Sequence, residues 1–479
     1  MSKIKSLVLG SAAAIVAIGG AQAADLPLKA KAVEYVKVCS LYGAGFYYIP
    51  GTDTCIRIGG YLRAEVTLNG APSDATYLNG DGGLGLRTAG QYQSRARIMM
   101  KVDTRTATEY GVVRTYGAFG PQFSFGGTNA GTDTPGNGSL RVEAAFVQFA
   151  GFTFGRSAPA YALPWNGAPG NITTALRGGP SWDAGENNIQ YTWQFGNGMS
   201  ATIGVDQQEM VNRVGVLQGA PTIFGGISAN HYAAPTAPDI TGRIRLDQAW
   251  GLIQLSAAAH QVTGDYYTAT AADGHPEDKW GFAVTGGLQL KNLPTGPGDD
   301  IKMSATYTEG ALHYVLGQGG SPVPTNFQVL NANTFAGVPI TDAVYGGIGS
   351  SLELTKAYGF NGAFNHNWNR HWSSSIFGSW TKIDYNGAAT ATMCAGAYGT
   401  ARTGVSVCNP DFNISQLGLT TTWKPVKNLA FVVEAIWAHI DQSNSGSPTL
   451  TGPRAAPAGT YAYGDTDSYS GIFRVDRSF

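Results

Sequence analysis

The sequence predicts an all-β protein: a closed, antiparallel, up-and-down barrel that crosses a membrane with sixteen strands. Apolar side chains recur at every second position, and the gaps between strand segments alternate between long and short. After residue 23, no stretch offers the roughly 18 consecutive apolar residues of a membrane-spanning helix. A bilayer admits only helices and closed barrels, so a membrane protein without such helices has one architecture left.

The composition of the 479 residues excludes several other classes. Charged residues make up 13%, against about 25% in an ordinary soluble protein. The 66 glycines follow no G-x-y period, which excludes collagen, and 43% hydrophobic residues exclude general disorder. A net charge of −1 lacks the basic footprint of nucleic-acid binders, so we expect no nucleic-acid partner.

Residues 1–23 have the pattern of a secretory signal peptide. An apolar stretch follows two lysines and ends before Ala21-Gln22-Ala23, a small-x-small cleavage pattern. The alternative, a membrane anchor, is disfavoured because the stretch is too short to span about 30 Å of hydrocarbon. We therefore expect cleavage after Ala23 and a single barrel domain over 24–479. Within it, residues 24–54 lead into the first strand from the periplasmic side.

Strict alternation of apolar and polar side chains marks the strands. In the first strand, Ile56, Ile58 and Leu62 share one parity, whereas Arg57 and Arg63 take the other. Helical spacing does not fit these segments. Sixteen of them are predicted, at about 55–68, 92–105, 111–119, 140–149, 152–157, 187–195, 199–207, 240–248, 251–262, 279–291, 300–316, 355–368, 372–385, 413–424, 429–441 and 468–479.

The connections favour a membrane barrel over a soluble sandwich. Odd-numbered segments are followed by long gaps, such as 158–186, and even-numbered ones by short gaps, such as Ala150-Gly151. Membrane barrels have short periplasmic turns on one rim and long external loops on the other. The last strand ends in Phe479 and alternates as such barrels do, except that Arg477 takes an apolar position. A long arginine near the interface can extend its charged end to water.

Three stretches carry a family resemblance. Residues 33–61, VEYVKVCSLYGAGFYYIPGTDTCIRIGGY, resemble the N-terminal signature of the alphaproteobacterial general porins. Residues 149–157, FAGFTFGRS, resemble that family's approach to its pore-constricting loop, and the ending 477–479 is similar too. The resemblance implies a sixteen-stranded outer-membrane porin, usually a homotrimer, that passes ions and small hydrophilic solutes by diffusion. It also implies that the third external loop folds into the lumen.

Lumenal side chains would select the solutes. A barrel this wide encloses water, and charges on its inner face discriminate among solutes. Parity predicts a basic pore wall formed by Arg57, Arg63, Arg95, Arg97, Arg243 and Arg245. Asp183 and Glu186, at the end of the third external loop, are candidates to oppose that wall across the constriction. The alternative is that these charges simply pair across strands in a wet interior.

The cysteines and the outer aromatic residues have structural interpretations. Cys39 and Cys55, and Cys394 and Cys408, form two short-range pairs, which in an exported chain favour disulfides. Metal binding is the alternative, but neither pair has histidines at a usual zinc spacing. Six aromatic residues have outward parity and suit either an interfacial girdle or a subunit contact: Trp193, Trp280, Phe360, Phe364, Trp368 and Trp423.

A diffusion channel is the leading functional hypothesis. A solute-specific channel, for instance for sugars, would need an aromatic track along the lumen. An outer-membrane enzyme such as a lipase would need a Ser/His pair in register, and a secreted β-sandwich or adhesin would be soluble. No G-x-S-x-G, H-E-x-x-H, phosphate-loop or dinucleotide motif is present, so we expect no catalysis, cofactor or metal site. The expected partners are outer-membrane lipid, lipopolysaccharide, two further copies of the chain, and the diffusing solutes.

Overall fold

A closed antiparallel barrel dominates the structure. The computed structural model describes residues 37–70, 78–81, 91–125, 138–173, 176–182, 184–208, 214–219, 230–317, 326–395, 404–450 and 458–479. The predicted signal peptide, 1–23, lies outside these residues. Sixteen barrel strands are numbered here in chain order: β1 Thr54–Leu68, β2 Tyr92–Thr108, β3 Gly111–Phe125, β4 Gly138–Phe149, β5 Phe152–Ser157, β6 Glu186–Gly196, β7 Met199–Asp206, β8 Asp239–Gln248, β9 Gly251–Val262, β10 Lys279–Lys291, β11 Asp300–Glu309, β12 Lys356–Asn367, β13 Trp372–Asp384, β14 Phe412–Val426, β15 Leu429–Gln442 and β16 Thr466–Ser478.

Each barrel strand pairs with its neighbours in sequence, and β16 pairs with β1 to close the sheet. The closing register places Tyr61 opposite Ser478 and Leu68 opposite Gly471. The predicted barrel with sixteen strands is therefore confirmed. One predicted segment, 300–316, is too long: β11 ends at Glu309, and Gly310 then turns the chain with a φ of 65°. Glycine adopts this backbone conformation without steric penalty. A short helix then begins at His313.

The two rims of the barrel differ as predicted. Connections of two to eight residues join the even strands to the next ones at one rim, and long loops lie at the other. In the two-residue turns Ala150–Gly151 and Asn197–Gly198, both residues have positive φ. This is the type I′ geometry, whose twist matches that of the flanking strands.

Smaller elements occupy the loops and the N-terminal segment. Two α-helices, α1 (His313–Leu316) and α2 (Gly387–Ala395), and two 3₁₀ turns, Ser40–Tyr42 and Ala271–Asp273, lie among the described residues. No helix in this part of the chain is long and apolar enough to cross a membrane. The short strands are Tyr47–Tyr48, Asn79–Asp81, Val216–Gln218, Asn326–Asn331, Thr334–Pro339, Ala343–Tyr345, Glu353–Leu354, Val405–Val407, Ser445–Gly446, Thr449–Leu450, Gly459–Thr460 and Ala462–Tyr463.

The side chains alternate between the two faces of the wall. Ile58 and Leu62 of β1 are exposed on the outer face, whereas Glu65 and Thr67 are buried on the inner face. The aromatic residues predicted on the outer face behave similarly: Trp193, Trp280, Phe360, Trp368 and Trp423 are exposed and Phe364 is half-buried. Trp368 lies in the turn after β12 rather than in a strand.

The sixth external loop, L6 (residues 310–355), covers part of the external mouth. Its hairpin, Asn326–Asn331 and Thr334–Pro339, pairs with short strands of the first and eighth loops. Val329 and Val338 of this hairpin join one apolar core with the external ends of neighbouring barrel strands. The mouth is thus narrowed by a packed layer. Disulfides join Cys39 to Cys55 before and within β1, and Cys394 to Cys408 in the seventh loop.

Candidate pore and its constriction

The third external loop, L3 (residues 158–185), lies inside the barrel against the wall formed by β9 to β16. Gln254 of β9 donates a hydrogen bond to the carbonyl oxygen of Ala162 at 2.9 Å. Lys302 and Asn365 both donate to the carbonyl oxygen of Pro169, at 3.2 and 3.0 Å. These contacts confirm that L3 folds into the lumen, and they leave the inner face of β1 to β8 as the opposite wall.

The middle of L3 is fixed by a buried acid and a buried arginine. The backbone N–H of Ile172 donates to Glu434 Oε2 at 2.6 Å, and Arg474 Nη1 donates to the carbonyl oxygen of Ile172 at 3.3 Å. Thr420 Oγ1 also donates to Glu434 Oε2, at 2.6 Å. Farther along, the backbone N–H of Arg177 donates to Gln416 Oε1 at 2.9 Å. L3 is therefore held on both faces of its backbone by strands β14 to β16.

The four arginines predicted on β1 and β2 all lie on the inner face, each beside a carboxylate. Arg63 Nε donates to Asp476 Oδ1 at 2.7 Å, across the closing seam. Glu65 pairs with Arg95 on one side and accepts from Arg474 Nε at 2.7 Å on the other. Since Arg95, Glu65 and Arg474 are all buried, this cluster fixes the wall rather than facing free solvent.

Arg97 is buried and pairs with the partly exposed Glu143. Its Nη1 donates to Glu143 Oε1 at 2.9 Å, and its Nε donates to Gln122 Oε1 at 2.8 Å. Glu143 accepts a further hydrogen bond from the Tyr61 hydroxyl at 3.0 Å. The positive charge of Arg97 is thereby balanced within the wall.

Nearer the periplasmic rim, three guanidinium groups share one carboxylate. Asp103 lies 3.1 Å from Arg105, 3.0 Å from Arg114 and 3.6 Å from Arg57. Asp103 is buried, whereas Arg57 is about half-exposed. Arg57 and Arg105 also lie over the Phe46 ring, 4.9 and 5.0 Å from its centroid. This end of the lumen therefore carries an excess of positive charge.

Arg243 and Arg245 of β8 have a different environment. Their cross-strand partners are uncharged: Thr202 and Ser256 flank Arg243, and Ser200 and Gln254 flank Arg245. Arg245 Nε donates to Gln254 Oε1 at 2.8 Å. Within the described residues, no carboxylate lies within 4.0 Å of either guanidinium group, and the buried Arg243 Nε has no acceptor.

Of the two acids predicted to oppose the basic wall, the structure describes Glu186. Asp183 lies outside the described residues. Glu186 is the first residue of β6, opposite Ser157 of β5, and its side chain is buried. The described part of L3 contains no acidic residue, and its one arginine, Arg177, is buried.

Sequence reasoning did not single out Arg105, Arg114, Glu434 or Arg474. Parity was the available signal for Arg105, which shares the inward parity of Asp103. Arg474 likewise alternates with the outward-facing Phe473. Glu434 carries a weaker signal: it interrupts the apolar stretch of β15, but its contact with Ile172 depends on a loop 262 residues away.

Under L6, a buried polar cluster holds α1 against strands β8 and β9. Tyr314 donates to Asp239 Oδ2 at 2.8 Å, and His260 Nδ1 lies 2.8 Å from Asp239 Oδ1. Burial, with a smaller effect of His260, lowers the pKa of His313 to about 3. Burial raises the pKa of Asp342 to about 6, against the opposing effect of His260 and two backbone donors. No group of three or more potential ligands in the described part of the chain could hold a metal ion.

Comparisons with known proteins agree with this architecture. A family model described as the porin subfamily matches residues 25–472. The porin Omp2b of Brucella abortus (strain 2308) is 32% identical over 299 residues, which are 61% of this chain and 75% of that porin. Omp2b of Brucella suis biovar 1 (strain 1330) is 31% identical over 300 residues, with the same coverage.

A solved structure supports the fold independently. The outer membrane channel DcaP of Acinetobacter baumannii matches with a TM-score of 0.60 at 15% identity, covering 90% of this chain and 99% of that one. The resemblance predicted from residues 33–61 is confirmed, and the family and its relatives indicate a channel rather than an enzyme. The chain belongs to the porin family and forms a channel of the outer membrane through which solutes diffuse passively.

Proposed function

We propose that ions and small hydrophilic solutes pass between L3 and the inner face of β1 to β8, and that this passage favours anions. The observation that carries the proposal is the pair Arg243 and Arg245, which lack a carboxylate partner among the described residues. Hydroxyl and amide groups flank them, and these can donate hydrogen bonds to an anion. Charges on the wall of a narrow pore select permeant ions in this way.

The other arginines of the predicted basic wall contribute unequally to the positive field in the passage. Arg63 and Arg97 are each matched by one acid, so they contribute little net field. Arg57 shares Asp103 with two further arginines, so the periplasmic end adds positive charge in the same sense as β8. An acid facing the passage would oppose this field, but Glu186 is buried, and Asp183 lies outside the described residues.

A sugar-specific channel is less well supported, because it needs open aromatic faces along the lumen. The inward-facing Tyr61 and Tyr116 have guanidinium groups over their rings, from Arg63 at 4.9 Å and Arg114 at 5.2 Å. Arg114 also lies 5.5 Å from the Phe146 ring. Rings covered in this way offer little surface on which a sugar can stack.

We propose further that the chain works as a homotrimer, with lipid and lipopolysaccharide against the remaining outer surface. The short strands β5 and β7 support this arrangement, with six and eight residues. A strand needs about 9–11 residues to span the bilayer, so β5 and β7, unlike the 11-residue β6 between them, are too short to face lipid alone. Its outer face carries Phe152, Tyr191 and Trp193 in mutual ring contact, at 4.6 Å between successive centroids.

Recordings from planar lipid bilayers under a KCl gradient test the channel and its preference together. We expect stepwise conductance, with a reversal potential of the sign expected for a pore more permeable to chloride than to potassium. Arg243→Gln and Arg245→Gln should each lower the chloride-to-potassium permeability ratio roughly twofold, because each removes one unmatched lumenal charge. Lys356→Gln, which removes an exposed charge with outward parity, is the matched control. A cation-selective wild type, or ratios that neither arginine variant changes, would contradict the proposal.

A further inference from the structure

A row of aromatic rings faces outward at the periplasmic end of β13 to β15. Trp372, Trp423 and Phe431 are cross-strand partners, one from each strand. The two indole rings are stacked with centroids 5.8 Å apart, and the Phe431 ring lies 5.3 Å from Trp423. Trp372 and Trp423 are 44% and 39% exposed. Such rings lie at the level of the lipid headgroups in membrane proteins.

Exposed cations lie directly beyond these rings, on the side of the short turns. Arg370 is in the turn after β12, Lys424 is near the end of β14, Lys427 is in the turn that follows, and Arg477 is near the end of β16. Arg477 lies opposite Leu429 and Leu62, and Leu62 is exposed on the outer face. The unexpected arginine of the last strand therefore belongs to a cluster, which we call the basic rim patch: Arg370, Lys424, Lys427 and Arg477.

Hydrogen bonds tie the turns of the basic rim patch together. Arg370 Nε donates to His371 Nε2 at 2.9 Å, and His371 Nδ1 lies 2.7 Å from the carbonyl oxygen of Lys424. An arginine only donates and a carbonyl only accepts, so in these two contacts His371 accepts at Nε2 and donates from Nδ1. Arg477 Nη1 donates to the carbonyl oxygen of Lys427 at 2.6 Å. These bonds hold two of the cations in defined positions.

The charge of the basic rim patch is unmatched. Over the residues that the structure describes, no carboxylate lies within 4.0 Å of any of its four cations. Cations elsewhere on the same rim are paired: Lys291 lies 3.0 Å from Asp247, and Lys302 lies 3.2 Å from Asp300. Positive charge is thus concentrated at one sector of the periplasmic rim.

An open cavity of about 680 Å³ lies beside the two indole rings, and Arg370 is the cation of the patch that lines it. Its lining includes Arg370, His371, Trp372, Trp423 and Pro425. The indole rings give the cavity an apolar side, and Arg370 gives it positive charge and hydrogen-bond donors. A molecule that fills it needs an anionic head joined to an apolar body.

We propose that the basic rim patch and the Trp372–Trp423 stack bind an anionic phospholipid of the periplasmic leaflet, with its phosphate on the cations. Basic residues next to a membrane surface attract anionic lipids, and an arginine binds a phosphate through several donors. Inorganic phosphate shares this chemistry but makes no use of the rings. The site rests on the placement of the barrel in the outer membrane and is independent of the charge preference of the pore.

Native mass spectrometry of the purified full-length protein in a neutral detergent tests the proposal. The lipid probes are phosphatidylglycerol and phosphatidylcholine of the same acyl chains. We expect phosphatidylglycerol to bind at least about fivefold more tightly than phosphatidylcholine, because the patch offers several unmatched cations. In the variant K427Q/R477Q this preference should fall to about twofold or less, whereas Lys356→Gln should keep it.

Three results would overturn the proposal: equal binding of the two lipids to the wild type, a preference unchanged in K427Q/R477Q, or displacement of the lipid by millimolar inorganic phosphate. The wild-type comparison holds whether or not the variant assembles. Bilayer conductance of K427Q/R477Q should equal that of the wild type. A lost lipid preference with normal conductance supports the site, whereas normal conductance with an unchanged preference removes the site and leaves the channel function intact.

Discussion

The backbone N–H of Ile172 donates a 2.6 Å hydrogen bond to the carboxylate of Glu434. Glu434 belongs to β15, and Ile172 lies in the middle of L3, so this bond fixes the constriction loop to the far wall of the barrel. Arg474 holds the carbonyl oxygen of the same residue. The width of the passage is therefore determined by charged residues of the wall as well as by L3 itself.

Replacing Glu434 by alanine should release the middle of L3. The backbone N–H of Ile172 and the Thr420 hydroxyl would lose their acceptor, which costs about 1–3 kcal/mol for a buried group. We expect single-channel currents with larger fluctuations than those of the wild type. Glu434→Gln keeps an acceptor oxygen, so its current fluctuations should lie between those of the wild type and Glu434→Ala. Glu109→Gln, in an exposed periplasmic turn, is the control, and equally quiet currents from Glu434→Ala would argue against the anchoring role.

We expect Glu65 to contribute more to stability than Asp476, although both pair with arginines on the same wall. Glu65→Gln leaves Arg95 and Arg474 buried without their carboxylate, a change that destabilises proteins by about 3–5 kcal/mol. Asp476→Asn leaves the partly solvated Arg63, so we expect a loss of about 1 kcal/mol or less. Guanidinium unfolding in lipid vesicles, followed by tryptophan fluorescence, measures both. Equal losses in the two variants would show that burial does not govern these pairs.

The buried cluster under L6 contains two groups with opposite pH dependence. His313 has a folded pKa of about 3 against an ordinary 6.5, so its contribution is present above pH 6.5 and is lost as the pH falls toward 3. Asp342 has a folded pKa of about 6 against 3.8, so its contribution is present below pH 3.8 and is lost as the pH rises through 6. Between pH 4 and 6 the opposite pH dependences of His313 and Asp342 nearly cancel.

Single substitutions should therefore produce opposite slopes. In Asp342→Asn, where His313 remains, protection of L6 from a protease should decrease as the pH falls from 6.5 to 4. In His313→Asn, where Asp342 remains, it should increase over the same range, while His260, Asp239 and the neighbouring acids are common to both variants. Limited proteolysis at a series of pH values, corrected for the activity of the protease, measures this. Parallel slopes in the two variants would contradict the assignment.

Local pattern was sufficient for the wall but not for its contacts. The parity of Ile58 against Arg57 predicts which face meets lipid, because successive side chains of a strand point to opposite faces. The same parity places Arg63 and Arg97 inside. Their partners depend on the register of distant strands, and Arg63 and Asp476 are 413 residues apart. The path of L3 depends likewise on Glu434 and Arg474, whose contacts no local period reveals.

Gly170 provides the opposite test to Glu434, because it governs how closely L3 approaches the wall. A Cβ atom at this position would collide with the Ser375 hydroxyl and lie 2.7 Å from the Cβ atom of Ala363. Gly170→Val should therefore displace this part of L3 away from β12 and β13, into the passage. We expect a lower single-channel conductance, because the cross-section of the water path decreases. Gly347→Val, where nothing lies within 4 Å, should conduct as the wild type does. If Gly170→Val conducts as well as the wild type, the passage does not run beside L3, and the route proposed along β1 to β8 has to be abandoned.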